Sequence, residues 1–275
     1  MAGIEADGER HGSIREKDLI RVLTEGMVTA PIPPFEFPML RRLVPLATAL
    51  LAIAPLAAAQ PTPRPKPARP TPTKADVSYG THPRLKLDFW QAKSDTPTPL
   101  VVLIHGCGWT NGDKDTFGTV AIKPYLDAGI SVAAINYRLI QTATEEKVEP
   151  PVKAPLHDAA RAIQFLRSQA KEWNLDKMKV GASGGSAGAC TSLWLACHDD
   201  LADPKSTDPV LRESTRLTAA AVGGAQTSLD PKQVKEWMPN ANYGGHAFGF
   251  RTAGGDRPKE FAAALENREK ILPCV

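Results

Sequence analysis

The stretch that most constrains this chain is Lys179-Val180-Gly181-Ala182-Ser183-Gly184-Gly185-Ser186-Ala187-Gly188-Ala189. Its start reads as a buried strand, its centre as a sharp turn and its end as the first turn of a helix. Gly184-Gly185-Ser186-Ala187-Gly188 fits the G-x-S-x-G pattern, in which a strained strand-to-helix bend presents a serine. A serine hydroxyl is a weak nucleophile unless it is held where a base can reach it, and such a bend holds it. Side chains two residues before and after the serine would collide, so both positions require glycine. The helix N-terminus behind Ser186 also brings backbone N–H groups near any developing negative charge. An overlapping register, Gly181-Ala182-Ser183-Gly184-Gly185, fits the same pattern with Ser183 as nucleophile. We prefer Ser186, because Ala187 to Cys197 can run on as one helix, whereas two glycines, poor helix formers, follow Ser183.

A lone motif of this kind occurs by chance, so its surroundings decide its weight. Leu100-Val101-Val102-Leu103-Ile104 is a continuous apolar run, as expected for a strand covered on both faces. Ile130 to Ile135, Met178 to Ala182 and Ala219 to Val222 read as further strands. Val77 to Tyr79 and Leu85 to Trp90 read as antiparallel edge strands joined by a turn near His82-Pro83. Helices are expected over Thr116 to Ala128, Leu156 to Trp173, Ala187 to His198 and Lys259 to Leu272. The second is the clearest, with Leu156, Ala159, Ala160, Ile163, Leu166, Ala170 and Trp173 at helical spacing. Strands alternating with helices predict an α/β fold: a mostly parallel sheet with helices on both faces.

A net charge of +3 over 275 residues, without long like-charge runs, gives no footing for a nucleic-acid partner. Cys107, Cys190, Cys197 and Cys274 have neither metal-ligand spacing nor a disulfide framework. Cys190 and Cys197 share a predicted helix face and read as small buried apolar residues. Residues 39–59 read as an export signal. Arg41-Arg42 is the positive end, Leu43 to Leu56 the apolar run and Ala57-Ala58-Ala59 the cleavage site. An uncleaved anchor is the alternative. Residues 1–38 are mixed and polar, which places the expected start of translation at Met39 or Met27. Residues 60–76, rich in proline, read as an extended spacer, and the folded domain is expected over 77–275.

His105-Gly106-Cys107-Gly108-Trp109 ends the Leu100–Ile104 strand. Open parallel sheets bind ligands at the carboxyl ends of their strands, so this loop and the Ser186 turn should meet. Small residues let backbone N–H groups turn toward an oxyanion. His105 reads as a loop-shaping histidine rather than a base. Trp109 reads equally as core packing or as a wall of the cleft.

With these motifs in place the chain resembles the α/β-hydrolase fold. The likeness is to secreted bacterial esterases and lipases of the hormone-sensitive-lipase and feruloyl-esterase-like groups. It rests on His105-Gly106-Cys107-Gly108-Trp109 with Gly112-Asp113-Lys114, on Asn136-Tyr137-Arg138-Leu139, on Pro155-Leu156-His157-Asp158-Ala159, and on Gly184-Gly185-Ser186-Ala187-Gly188. These four motifs appear in the family's order over about residues 77 to 200. The resemblance implies Ser186 as nucleophile and the backbone N–H groups of Cys107, Gly108 and Ala187 as oxyanion donors. It implies that Arg138 and Asp158 brace loops, and that carboxylic esters are cleaved through an acyl-enzyme. No metal or cofactor is implied. The expected partner is a small-molecule or glycan ester, a plant polysaccharide ester among them, with no nucleic acid and with membrane contact only through the export signal.

Two departures from the family pattern shape the remaining expectations. Cys107 stands where the family loop has glycine, and adds strain if that position needs positive φ. The family places the acid and then the histidine of its triad on loops after later strands, and those last strands are not visible here. The expectation is a domain incomplete at its C-terminal side, with the triad acid and base unassigned and weak turnover as a result. His246, in Tyr243-Gly244-Gly245-His246, is the alternative base; His198 reads as a helix cap. Asp230 and Asp256 are acids without a recognisable context. A prolyl-oligopeptidase-like serine peptidase shares the serine turn, and a binding protein that keeps the cleft but lacks the triad is the reading from a different class.

Overall fold

The computed structural model describes residues 68–271. The export signal, the upstream segment, residues 60–67 of the spacer and Cys274 lie outside them. Six strands form one sheet in the order β1-β2-β4-β3-β5-β6. They are β1 (Lys74–Ser78), β2 (Lys86–Trp90), β3 (Thr98–Ile104), β4 (Ser131–Ile135), β5 (Leu175–Gly185) and β6 (Ala219–Gly223). The β1–β2 and β2–β4 pairs are antiparallel, and β4, β3, β5 and β6 run parallel. The α/β-hydrolase architecture expected from the sequence is therefore present, with β4 and β3 at the centre of the sheet and β5 beside β3.

All seven residues of β3 are buried, and they divide by parity. Leu100, Val102 and Ile104 join the larger core under α3 (Lys153–Ser168) and α4 (Ala187–Cys197). Val101 and Leu103 join a smaller core under α1 (Thr119–Asp127), with Ile122 and Tyr125. Successive strand side chains point to opposite faces, so a strand covered on both sides must be apolar at every position.

The expected elements shift at their ends. The first helix starts at Thr119, because Asp113 caps a short 3-10 turn at Lys114–Thr116 by accepting from the Asp115 N–H at 3.0 Å. The long helix stops at Ser168, yet Ala170 and Trp173 are still buried. The chain turns back through Asn174, at φ 49°, and lays the Trp173 ring on Phe89 at 4.8 Å. A short helix, α2 (Ile140–Glu145), precedes α3, and after α4 come α5 (Pro231–Trp237), α6 (Arg257–Glu266) and α7 (Arg268–Ile271). Pro231 and Arg257-Pro258 follow Asp230 and Asp256, a signal of helix starts that composition alone did not single out. Of the two cysteines expected to be buried on α4, Cys190 is, but Cys197, in the last turn, is exposed.

The folded unit also reaches further back than Val77. β1 begins at Lys74, and Arg69, in the stretch read as spacer, is drawn in by a buried carboxylate. Asp88 of β2 is fully buried and needs compensation. Its oxygens receive Arg69 at 2.7 Å, the Lys114 ammonium at 3.0 Å and the Asp76 N–H at 2.8 Å. Lys114 and its neighbour Asp113 engage Asn136 through both ends of its amide, at 2.7 and 2.8 Å. Arg84 donates to the carbonyls of Tyr137 and Gly112. Arg138 forks onto Asp158 of α3 at 2.7 and 2.9 Å. The loops after β3 and β4 are thus fastened to each other, to β2 and to α3.

Removing one partner of a buried charge cluster leaves the others uncompensated. Asp88→Ala is expected to lower the unfolding free energy by about 3–5 kcal/mol in urea titrations. Asp127→Ala, which breaks only the exposed Lys123–Asp127 pair, should leave the midpoint in place.

Candidate active site

β5 runs into α4 through Ser186, whose backbone sits at φ 53°, ψ −121°, a strained conformation for a residue with a side chain. The Ser186 N–H donates to the Gly223 carbonyl at the end of β6 (3.0 Å), and its carbonyl accepts from Cys190 N–H (2.9 Å). The flanking glycines are steric requirements. A Cβ on Gly188 would lie 2.0 Å from the Ile104 carbonyl oxygen and 2.8 Å from that of His105. A Cβ on Gly184 would lie 2.5 Å from the same Ile104 oxygen. The bend is pressed against the end of β3, and the serine is left exposed at its tip. Ser183, the other register, lies within β5, buried between β3 and β6 and hydrogen-bonded to Tyr125.

The β3 loop meets this bend. A Cβ on Gly106 would stand 2.6 Å from the Gly185 carbonyl oxygen and 3.4 Å from the Ser186 Cβ. Cys107, Gly108 and Trp109 follow with φ of 64°, 61° and 56°, a left-handed turn closed by Thr110 N–H on the Cys107 carbonyl at 3.1 Å. The strain anticipated for Cys107 is therefore present, at about 1–2 kcal/mol for each residue that is not glycine. Cys107 and Gly108 open the 3-10 turn and Ala187 opens α4, positions whose N–H groups have no partner within their own helix. Ala187 follows Ser186 directly, and the Gly106 approach brings the loop that carries the other two up to the serine.

Several contacts hold the loop. Trp109 is both of the things its sequence allowed: its indole is buried, donates to Thr191 of α4 at 3.0 Å, and walls a cavity. Tyr137 stacks on His105 at 4.2 Å and donates to the His105 carbonyl at 2.7 Å. His105 Nδ1 lies 3.0 Å from the Tyr137 hydroxyl, and its Nε2 has no partner among the described residues. His105 thus bonds within its own loop and to Tyr137, and makes no hydrogen bond to Ser186 among the described residues.

The remaining candidates have other hydrogen-bond partners. Among the described residues no side chain hydrogen-bonds Ser186 Oγ. His246, buried in a 3-10 turn at Gly245–Phe248, directs Nε2 at the Gly108 carbonyl, 3.2 Å away. Burial lowers its pKa, against a smaller upward effect of that hydrogen bond. His198 ends α4, with its backbone N–H on the Trp194 carbonyl. Asp230 and Asp256 cap α5 and α6, and Asp230 also holds Arg268 at 2.7 Å. No group of three His, Cys, Asp or Glu among the described residues is placed to hold a metal ion. Beside Trp109 opens a cavity of about 510 Å³, walled also by Leu229, Trp237, Met238, Tyr243 and Phe261. Sequence reasoning did not anticipate these walls. The aromatic residues at 237 and 243 after the Asp-Pro helix start were the available signal.

Two outcomes test this geometry. Gly188→Ala should cost at least about 3 kcal/mol or prevent folding. Gly185→Ala, whose Cβ would find its nearest neighbour at 3.8 Å, should unfold near the wild-type midpoint. The second concerns His105, whose pKa burial pushes down to about 4. The unfolded chain, near 6.5, takes up the proton first as pH falls. The stability held by the neutral ring is complete above about pH 6.5 and is lost toward pH 4, by at most about 3 kcal/mol. Urea midpoints measured across that window should fall in the wild type and fall less in His105→Gln; parallel slopes would refute the assignment.

The sequence profile of the BD-FAE family matches residues 87–228, just over half of the chain. Kynurenine formamidase of Debaryomyces hansenii is 33% identical over 135 residues, covering 46% of this chain and 41% of that protein. Carboxylesterase NlhH of Mycobacterium tuberculosis is 30% identical over 108 residues, covering 39% and 32%. The crystal structure of an acetyl ester-xyloside bifunctional hydrolase from Caldicellulosiruptor lactoaceticus is 29% identical, with a TM-score of 0.46 over 53% of this chain and 50% of that one. The chain spans less than half the length of these curated relatives. With the strand order, the glycine-flanked serine bend and the left-handed loop beside it, the profile match over 87–228 shows that this chain belongs to the BD-FAE family of hormone-sensitive-lipase-like α/β hydrolases.

Proposed function

We propose that the protein is a serine hydrolase of carboxylic esters with Ser186 as its nucleophile. The observation that carries this reading is the strained Ser186 at the mouth of α4, with the helix-opening N–H groups of Ala187 and of Cys107 and Gly108 on the turn and the adjoining loop. Ser186 Oγ would attack the ester carbonyl as a base takes its proton. The carbonyl oxygen would gather negative charge among the three N–H groups, strengthened by the α4 N-terminus. Collapse would expel the alcohol and leave an acyl-serine, and water would then release the acid and restore Ser186. The apolar cavity beside Trp109 supports an ester with an apolar portion. Glycan esters, including those of plant polysaccharides, belong to the proposal through the family likeness alone. Export belongs to it through Arg41-Arg42, the apolar run and Ala57-Ala58-Ala59.

A second reading is favoured by one observation: no imidazole among the described residues bonds Ser186 Oγ. The protein would then hold an ester in the cleft without turning it over. A fluorophosphonate probe, whose phosphoryl oxygen imitates the oxyanion, separates the two. We expect the probe to label the wild type at Ser186 and to leave Ser186→Ala unlabelled. Turnover of a short aryl ester, whatever its absolute rate, should fall to background in the same variant. Saturable ester binding with no labelling would favour the second reading.

A further inference from the structure

The imidazole of His246 touches the loop that carries the candidate oxyanion donors. The Gly108 carbonyl can only accept, so Nε2 carries the proton and donates it across 3.2 Å. The ring is only 8% exposed and is held from behind. Gly245, next to it, lies so close to α6 that a Cβ there would stand 2.2 Å from the Glu260 carbonyl oxygen. The Ala247 carbonyl accepts from Val152 N–H, at the start of α3, at 3.0 Å. The Tyr243 ring packs on His246 at 4.8 Å.

The contact falls on the weakest point of the loop. Gly108 sits at φ 61° between two non-glycine residues that are also left-handed, each about 1–2 kcal/mol above its relaxed form. Such a turn persists only if its surroundings fix it. The Trp109 indole fixes one end, through Thr191. The other hold is at Gly108 itself, where a Cβ would meet the Tyr243 hydroxyl at 2.7 Å and His246 Nε2 at 3.1 Å.

We propose that His246 is a positioning residue for the oxyanion loop and not the base of the reaction: by holding the Gly108 carbonyl it keeps the Cys107–Trp109 turn left-handed, with its N–H groups beside Ser186. This rests on the ester-hydrolase reading for its effect on rate, though not for its effect on the loop. Glutamine can offer an amide N–H where His246 offers Nε2–H, but it cannot serve as a base; alanine can do neither.

The test compares wild type, His246→Ala and His246→Gln by steady-state hydrolysis of a short aryl ester and by amide hydrogen exchange of the peptide covering residues 105–112. We expect His246→Ala to lower kcat about 10–100-fold with KM changed less than about threefold, short of the 10²–10³ lost with a donor itself. We expect His246→Gln to recover most of that loss. Exchange in the 105–112 peptide should quicken in the alanine variant and return toward wild type in the glutamine variant. Equal losses of three or more powers of ten in both variants would make His246 the base and overturn the proposal, as would unchanged exchange in His246→Ala. If the wild type neither turns over ester nor is labelled at Ser186, the ester-hydrolase reading fails, and the exchange comparison still decides whether His246 holds the loop.

Discussion

The site depends on one close approach: the backbone of Gly188 and Gly184 against the last carbonyl of β3. With 2.0 Å between a would-be Gly188 Cβ and the Ile104 oxygen, no other residue fits without moving the central strand or the helix. That contact sets how near α4 can start to β3, and so how near a serine at the first turn can come to the loop leaving the same strand. Gly106 completes the approach from the other side, its missing side chain leaving room for Ser186. Ser186 and the loop amides are brought together by backbone packing more than by side-chain contacts, which suits groups that must be placed to within fractions of an ångström.

A second layer keeps that arrangement from relaxing. The left-handed Cys107–Trp109 turn is costly, and several independent ties hold it: the Trp109 indole on Thr191, Tyr137 on the His105 and Gly106 carbonyls, and the Lys114–Asn136–Asp113 bonds further along. The buried Asp88 cluster anchors the last of these to β2. Polar groups buried this way add little net stability while paired but are expensive to unpair. They select one loop conformation over its alternatives.

Some of this was legible in the sequence because it depends on local chemistry. The Gly184-Gly185-Ser186-Ala187-Gly188 spacing, the unbroken Leu100–Ile104 run and the helical period from Leu156 to Leu166 each state a steric or burial requirement in adjacent residues. What could not be read depends on distant partners. Arg69 looks like a spacer residue until Asp88 is seen to need a cation. His246 looks like a stray imidazole until Gly108, 138 residues earlier, is found beneath it. Helix ends fall between these cases: Asp230-Pro231 carried its own signal, whereas Trp173 kept the apolar period of α3 past Ser168 because it is buried in the same core from a turn.

Trp109 joins two tasks in one side chain, and that limits how this cleft can change. Its indole fastens the strained loop to α4 and at the same time lines the cavity. Trimming it to enlarge the cavity would also release the strained loop, so a change of shape there carries a change in the turn beside Ser186. Trp237 and Met238 also line the cavity, make no side-chain hydrogen bond among the described residues, and are largely exposed. The cavity's shape can therefore change, in nature or in the laboratory, by substitution at those two positions, while Trp109 is held constant by the loop that it fastens.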